Sequence, residues 1–115
     1  MTDDGFIIRR NRKGRGVYAR RRFRRGAIMC ACPVLVWPRG RVPDAFIWQY
    51  IWEWDGKSGL PLGIISMCNH SPSPNMGTRC LYANRRMICR ALRDIRVGEE
   101  ILIDYGPASG NFEVL

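Results

Sequence analysis

Apolar and polar side chains alternate along most of this chain in short runs broken by Gly and Pro, a pattern that predicts a mostly β protein. Residues 6–10 read as a strand, Lys13-Gly14-Arg15-Gly16 as a turn and residues 17–19 as the returning strand. Residues 20–26 form an arginine-rich loop. Residues 27–36 form a long apolar strand that Pro33 interrupts or confines to a sheet edge. Pro43 suits a first helical turn, and Ile47, Tyr50, Ile51 and Trp54 recur at helical spacing, so residues 43–54 are predicted as the one main helix. With Trp48 and Trp52 on a neighbouring face, that helix is apolar over more than half its girth. It therefore calls for burial on two sides or, alternatively, a homodimer contact. Residues 56–63 read as a loop, 64–68 as a short apolar turn and 69–75 as a polar segment with two prolines. Strands over 77–83, 87–91 and 100–105 complete the pattern, with a turn at Asn84-Arg85-Arg86.

The length of 115 residues suits a single domain with one core, spanning about residues 6–106 and followed by a short C-terminal segment, 107–115. A formal charge of +9 changes the picture more. Arg9, Arg10, Arg12, Lys13, Arg15, Arg20, Arg21, Arg22, Arg24 and Arg25 face only Asp3 and Asp4 within the first 25 residues, so the excess is local. Such a field attracts phosphate or acidic protein, which makes nucleic acid or a ribosome a candidate contact for the Arg9–Arg25 region. The same excess is also what a solvated surface carries. No apolar run is long enough to span a membrane, and the acidic start, Met1-Thr2-Asp3-Asp4, lacks a secretory signal pattern, so no membrane partner is expected. Five cysteines without zinc-ribbon spacing suggest reduced, buried thiols and an intracellular protein.

Taken singly, the chemical signals are weak. Gly14-Arg15-Gly16 fits a tight hairpin, and His70, the lone histidine, lacks a Cys, Asp or Glu cluster at ligand spacing, so no metal site is expected. Glu99 and Glu100 are adjacent and would point to opposite faces of a strand, which excludes them as an acid/base pair. Their joint order is far more specific. Gly14-Arg15-Gly16-Val17-Tyr18-Ala19 is followed by Arg25-Gly26 before an apolar strand, then by Asn69-His70-Ser71 with Pro74-Asn75, and then by Gly98-Glu99-Glu100-Ile101 with Asp104-Tyr105-Gly106. This series, covering about residues 6–112, resembles the SET domain of protein-lysine methyltransferases. At this length it looks most like the minimal viral and bacterial type that lacks pre-SET and post-SET zinc modules.

The resemblance implies a β-clip-like fold of several short curled sheets, with a C-terminal segment threaded under a preceding loop as a pseudoknot. It implies S-adenosylmethionine as cofactor, held by Gly14, Arg15, Gly16, Asn69, His70 and Tyr105, and a protein lysine as acceptor, a histone tail among the candidates. Tyr105 matches the catalytic tyrosine. Tyr50, Ile103 and Phe112 match positions lining the lysine channel, with Tyr50 also readable as a core aromatic. Ile103 stands where the family's Phe/Tyr switch governs product state, and the missing hydroxyl leaves room for di- or trimethylation. Pro72 follows Ser71 and no cysteine follows Tyr105, so the zinc site many members build there is not expected. The location implied is cytoplasmic, or nuclear for a viral or host-directed protein. The rival reading is a catalytically inactive SET-like module that binds nucleic acid or an acidic protein through the basic N-terminal region. Acidic residues such as Asp44, Glu53, Asp55, Asp104 and Glu113 would have to cluster at the peptide groove for a basic tail to be the substrate.

Overall fold

The alternation predicted from sequence is realised as two curled sheets in the computed structural model, which describes residues 5–105. The strands are β1 (Phe6–Asn11), β2 (Gly14–Ala19), β3 (Ile28–Trp37), β4 (Trp52–Trp54), β5 (Lys57–Pro61), β6 (Asn69–His70), β7 (Met76–Leu81), β8 (Arg86–Ala91) and β9 (Glu100–Ile103). One sheet runs β1-β2-β9-β6 and the other β4-β5-β3-β8-β7. Inward-facing Val17, Ile101, Met76, Met87 and Cys89 are fully buried, and Phe6 stacks on Phe23 with ring centroids 5.4 Å apart. Trp54 meets the edge of Tyr82 at 4.9 Å and closes the core below β4 and β5.

Two local readings need correction. The main helical segment is a 3-10 helix over Ala45–Tyr50, shorter and tighter than the helix expected over 43–54, and none of its residues is buried. Phe46 and Trp48 are 70% and 47% exposed, so the double-sided burial expected of this segment does not occur. Asp44 starts the turn by accepting from the Phe46 N–H at 2.7 Å. The β-branched and aromatic residues that follow are poor helix formers, so nothing local holds the helix against a competing partner. That partner is β5, which lies within the predicted 56–63 loop and pairs Trp52 with Gly59 and Trp54 with Lys57. Asp55 and Gly56, with φ of 50° and 78°, make the tight turn between the two strands. Asp-Gly is the dipeptide that such hairpins favour, because both central residues need positive φ.

The feature that builds the site is the position of β9. Last in sequence, it lies between β2 and β6, antiparallel to the first and parallel to the second, with Asn69 opposite Leu102 and His70 opposite Ile103. The segment after β6 is fastened to it through Asn75, which is buried, donates from Nδ2 to the Glu100 carbonyl at 2.8 Å and accepts from the Leu102 N–H at 2.8 Å. One side chain thus replaces a missing strand residue. Asn75→Ala leaves both backbone groups without that partner, and each buried orphan costs about 1–3 kcal/mol. We expect urea denaturation to show a loss of about 2–4 kcal/mol for this variant.

Candidate active site

The turn between β1 and β2 is held by Asn11 Oδ1, which accepts from the Lys13 N–H at 2.9 Å, and Gly14 closes it. Gly16 faces polar groups of the protein itself. A Cβ there would come within 2.5 Å of both Asn11 Nδ2 and Glu100 Oε2, so the absent side chain makes room for polar groups of the protein itself. Those groups form a network. Asn69 Nδ2 donates to the Arg15 carbonyl and to Glu100 Oε2, each at 2.7 Å, and Asn11 Nδ2 donates to the Tyr18 hydroxyl at 3.0 Å and to Glu100 Oε2 at 3.4 Å. Both hydrogens of the Asn69 amide are therefore committed, which fixes the amide and leaves Oδ1 as its acceptor.

Arg15 extends from β2 into a cavity of about 800 Å³. Its Nη2 donates to the Tyr50 hydroxyl and approaches Met67 Sδ, both at 3.4 Å, while its Nε is buried without a hydrogen-bond partner. Tyr105 enters the same cavity from the end of β9. Its hydroxyl donates to the Cys68 carbonyl at 2.5 Å and its backbone N–H donates to His70 Nδ1 at 2.9 Å. As an acceptor, Nδ1 carries no proton, so the His70 ring serves as a backbone-facing brace for Tyr105, with ring centroids 5.1 Å apart. The phenol of Tyr105 is pushed above its ordinary value, chiefly by burial, with Cys68 and Tyr50 adding and Arg15 opposing. It remains a hydroxyl at neutral pH.

Of the residues singled out in the sequence, Arg15, Tyr50, Asn69, Ile103 and Tyr105 line one cavity. Gly14, Gly16 and His70 are not among its lining residues, and Phe112 lies outside the described residues. Glu53 also lines the cavity, although its Oε2 accepts from the Gly56 N–H at 2.6 Å. Two residues at the site were missed. Glu100 sits on the inner side of β9 as the common acceptor of the network, and the Cys68 carbonyl anchors the phenol. The alternation through Glu99-Glu100-Ile101 signals that one of the two glutamates must face inward. Glu100→Ala removes the acceptor shared by Asn69 and Asn11. We expect urea denaturation to show a loss of about 1–3 kcal/mol for this variant.

Comparison with known proteins agrees with this architecture. The SET domain family model matches residues 14–106. A Schizosaccharomyces pombe histone-lysine N-methyltransferase, specific for lysine 37 of H3, is 34% identical in an alignment of 101 positions that covers 83% of this chain and 68% of the yeast protein. The structure of a candidate histone methyltransferase from Plasmodium falciparum superposes with a TM-score of 0.75 at 27% identity, covering 91% of this chain and 96% of that one. A chain of the Chaetomium thermophilum polycomb repressive complex 2, in a humanised mutant form, shares the fold alone, with a TM-score of 0.76 at 15% identity over 96% of this chain and 16% of its own. A family match over most of the chain, a yeast relative at this identity, and motif residues gathered around one cavity lead to the same conclusion: the chain belongs to the SET-domain family.

Proposed function

We propose that this protein is a protein-lysine N-methyltransferase that uses S-adenosylmethionine and acts on a histone lysine, with the nucleus as its place of action. The observation that carries the reading is the meeting of Arg15, Asn69, Tyr50 and Tyr105 on one cavity, with the Tyr105 hydroxyl fixed on the Cys68 carbonyl. The size and lining of the cavity fit the cofactor. At about 800 Å³ it is within the range of small-molecule sites, and the buried, unpartnered Nε of Arg15 is a donor that a carboxylate would satisfy. Arg15 and Asn69 would hold the amino-acid end of the cofactor, and backbone at His70 its adenine. When bound, the cofactor supplies a methyl group on a positively charged sulfur.

The protein's own residues account for the rest. A lysine side chain has a pKa of about 10.4 and must lose its proton before its nitrogen can attack. The Arg15 cation in the same cavity disfavours the ammonium form. Tyr50, Tyr82 and Tyr105 give the cavity aromatic walls along which the lysine stem can lie and which attract a methylated ammonium. Tyr105 orients the amine through its hydroxyl. Ile103, buried and apolar, offers no group to hold a water beside the amine, which supports di- or trimethylation.

The test is calorimetry with S-adenosylmethionine, followed by mass spectrometry of histone H3 incubated with enzyme and donor. Saturable heat of binding and methylated lysines are expected. No heat at millimolar donor would overturn the reading in favour of an inactive binding module.

A further inference from the structure

We propose that the loops 20–25 and 92–99 together form a docking surface for the phosphate backbone of double-stranded DNA, separate from the methylation cavity. The two loops are far apart in sequence but locked together. Phe23 N–H donates to the Ile95 carbonyl at 3.0 Å and Ile95 N–H donates to the Phe23 carbonyl at 2.8 Å, with both side chains buried. That bridge sets the first loop, with its five arginines, beside the second, and Arg22, Arg93 and Arg96 line a groove of about 810 Å³ between them. All seven side chains are exposed.

Only Asp94 and Glu99 oppose these seven charges within the two loops, and both are already engaged. Asp94 Oδ1 accepts from the Arg25 N–H at 2.8 Å. Glu99 accepts from the Arg96 N–H at 2.7 Å and from Arg93 Nη1 at 3.0 Å. The Arg96 N–H, first among its partners, holds the Glu99 carboxyl below the usual carboxylate range. Among the described residues, Arg93–Glu99 is the one ion pair these arginines make. Arg21 is pre-ordered, its guanidinium 4.2 Å from the centre of the Phe23 ring and its Nη1 donating to the Arg22 carbonyl.

The cations are all arginines, whose planar forks match phosphate oxygens. Val97 is the one exposed large apolar side chain lining the groove, too little to anchor a lipid surface. The placement also leaves the cavity free. Ala19, which bonds to Gly98 and Glu99, is four strand residues from Arg15, roughly 13 Å, and the loop runs onward from there. A histone tail in the cavity and DNA on the loops can therefore be held together. That use rests on the methyltransferase reading, but the binding itself does not.

The experiment is fluorescence anisotropy of a short duplex of arbitrary sequence, titrated with protein between about 50 and 200 mM salt. For five contacted phosphates, log K is expected to fall with log salt at a slope of about −4.5. Replacing Arg22, Arg24 and Arg96 together with Ala should shallow that slope by about 3 and weaken binding at low salt at least tenfold, with heat of donor binding unchanged. Replacing Arg9, Arg10 and Arg12 with Ala should leave most of the slope intact. A loop variant that binds like the parent, loss confined to the hairpin variant, or displacement of the duplex by polyglutamate at equal charge would each overturn the proposal. The last outcome would assign the surface to an acidic protein. Full DNA binding without any heat from the donor would remove the methyltransferase reading and leave the docking surface standing.

Discussion

Tyr105→Phe is expected to methylate at least 100-fold more slowly than the parent, with donor affinity nearly unchanged and stability lower by about 1–3 kcal/mol because the Cys68 carbonyl loses this partner. The substitution isolates one group. The ring stays, its contact with His70 stays, and the backbone N–H still reaches His70 Nδ1, so only the hydroxyl and its bond to the Cys68 carbonyl are lost. A single fixed polar group at a reacting centre is commonly worth a factor of about 100–1000 in rate, and misplacing reactants by 1 Å costs about 100-fold. The pH profile separates orientation from proton abstraction. Because burial pushes the phenol upward, Tyr105 holds its proton more tightly than an ordinary tyrosine, and the parent's rate should climb with pH as the substrate amine is deprotonated. The variant should show the same rising limb at lower height. A displaced midpoint would mean that the hydroxyl takes the proton itself, and equal rates would remove Tyr105 from the chemistry.

Much of this site was legible in the sequence because its signals are local and ordered. The hairpin around Gly14, the Asn69-His70 pair and the strand leading to Tyr105 each announce themselves within a few residues, and their order identified the family before any contact was visible. The errors arose where a distant partner decides. Ile47, Tyr50, Ile51 and Trp54 have helical spacing, yet pairing with β5 takes Trp52–Trp54 as a strand, and Asp55-Gly56 was the overlooked local clue. Gly16 lies against Glu100, 84 residues later, a contact that the local motif does not report. Asn75 bonds across to β9, and no periodicity reports such a bridge. The same holds for the basic surface, where the Arg20–Arg25 run is plain in the sequence but its fusion with Arg93 and Arg96 depends on the Phe23–Ile95 bridge.

The fold itself should be acutely sensitive to alkali. Burial pushes the Cys32 thiol up to about 11 and the Cys68 thiol higher still, with Cys30 adding to both. Cys89 is raised first by its hydrogen bond with Cys30 and then by burial. In the unfolded chain such thiols titrate near 8.5. The sign follows from proton binding. Below about pH 8.5 both states hold these protons and stability is intact, whereas above it the unfolded state releases protons that the native state retains, so stability falls as pH rises. Each thiol that stays protonated in the native state contributes about 1.4 kcal/mol per pH unit, so Cys32 and Cys68 together remove roughly 3 kcal/mol per unit up to about pH 11, and Cys89 adds in the same direction. A domain typically holds only about 5–15 kcal/mol, so urea midpoints taken under reducing conditions should drop steeply from pH 9 and reach spontaneous unfolding near pH 11. The chain's composition makes this titration unusually clean. Lys13 and Lys57 are the only lysines among its 19 basic residues, and arginine side chains keep their charge throughout, so the thiols dominate. Cys32→Ala should remove about one third of the slope, and a parent equally stable at pH 8 and pH 10.5 would contradict the buried placement of all three thiols.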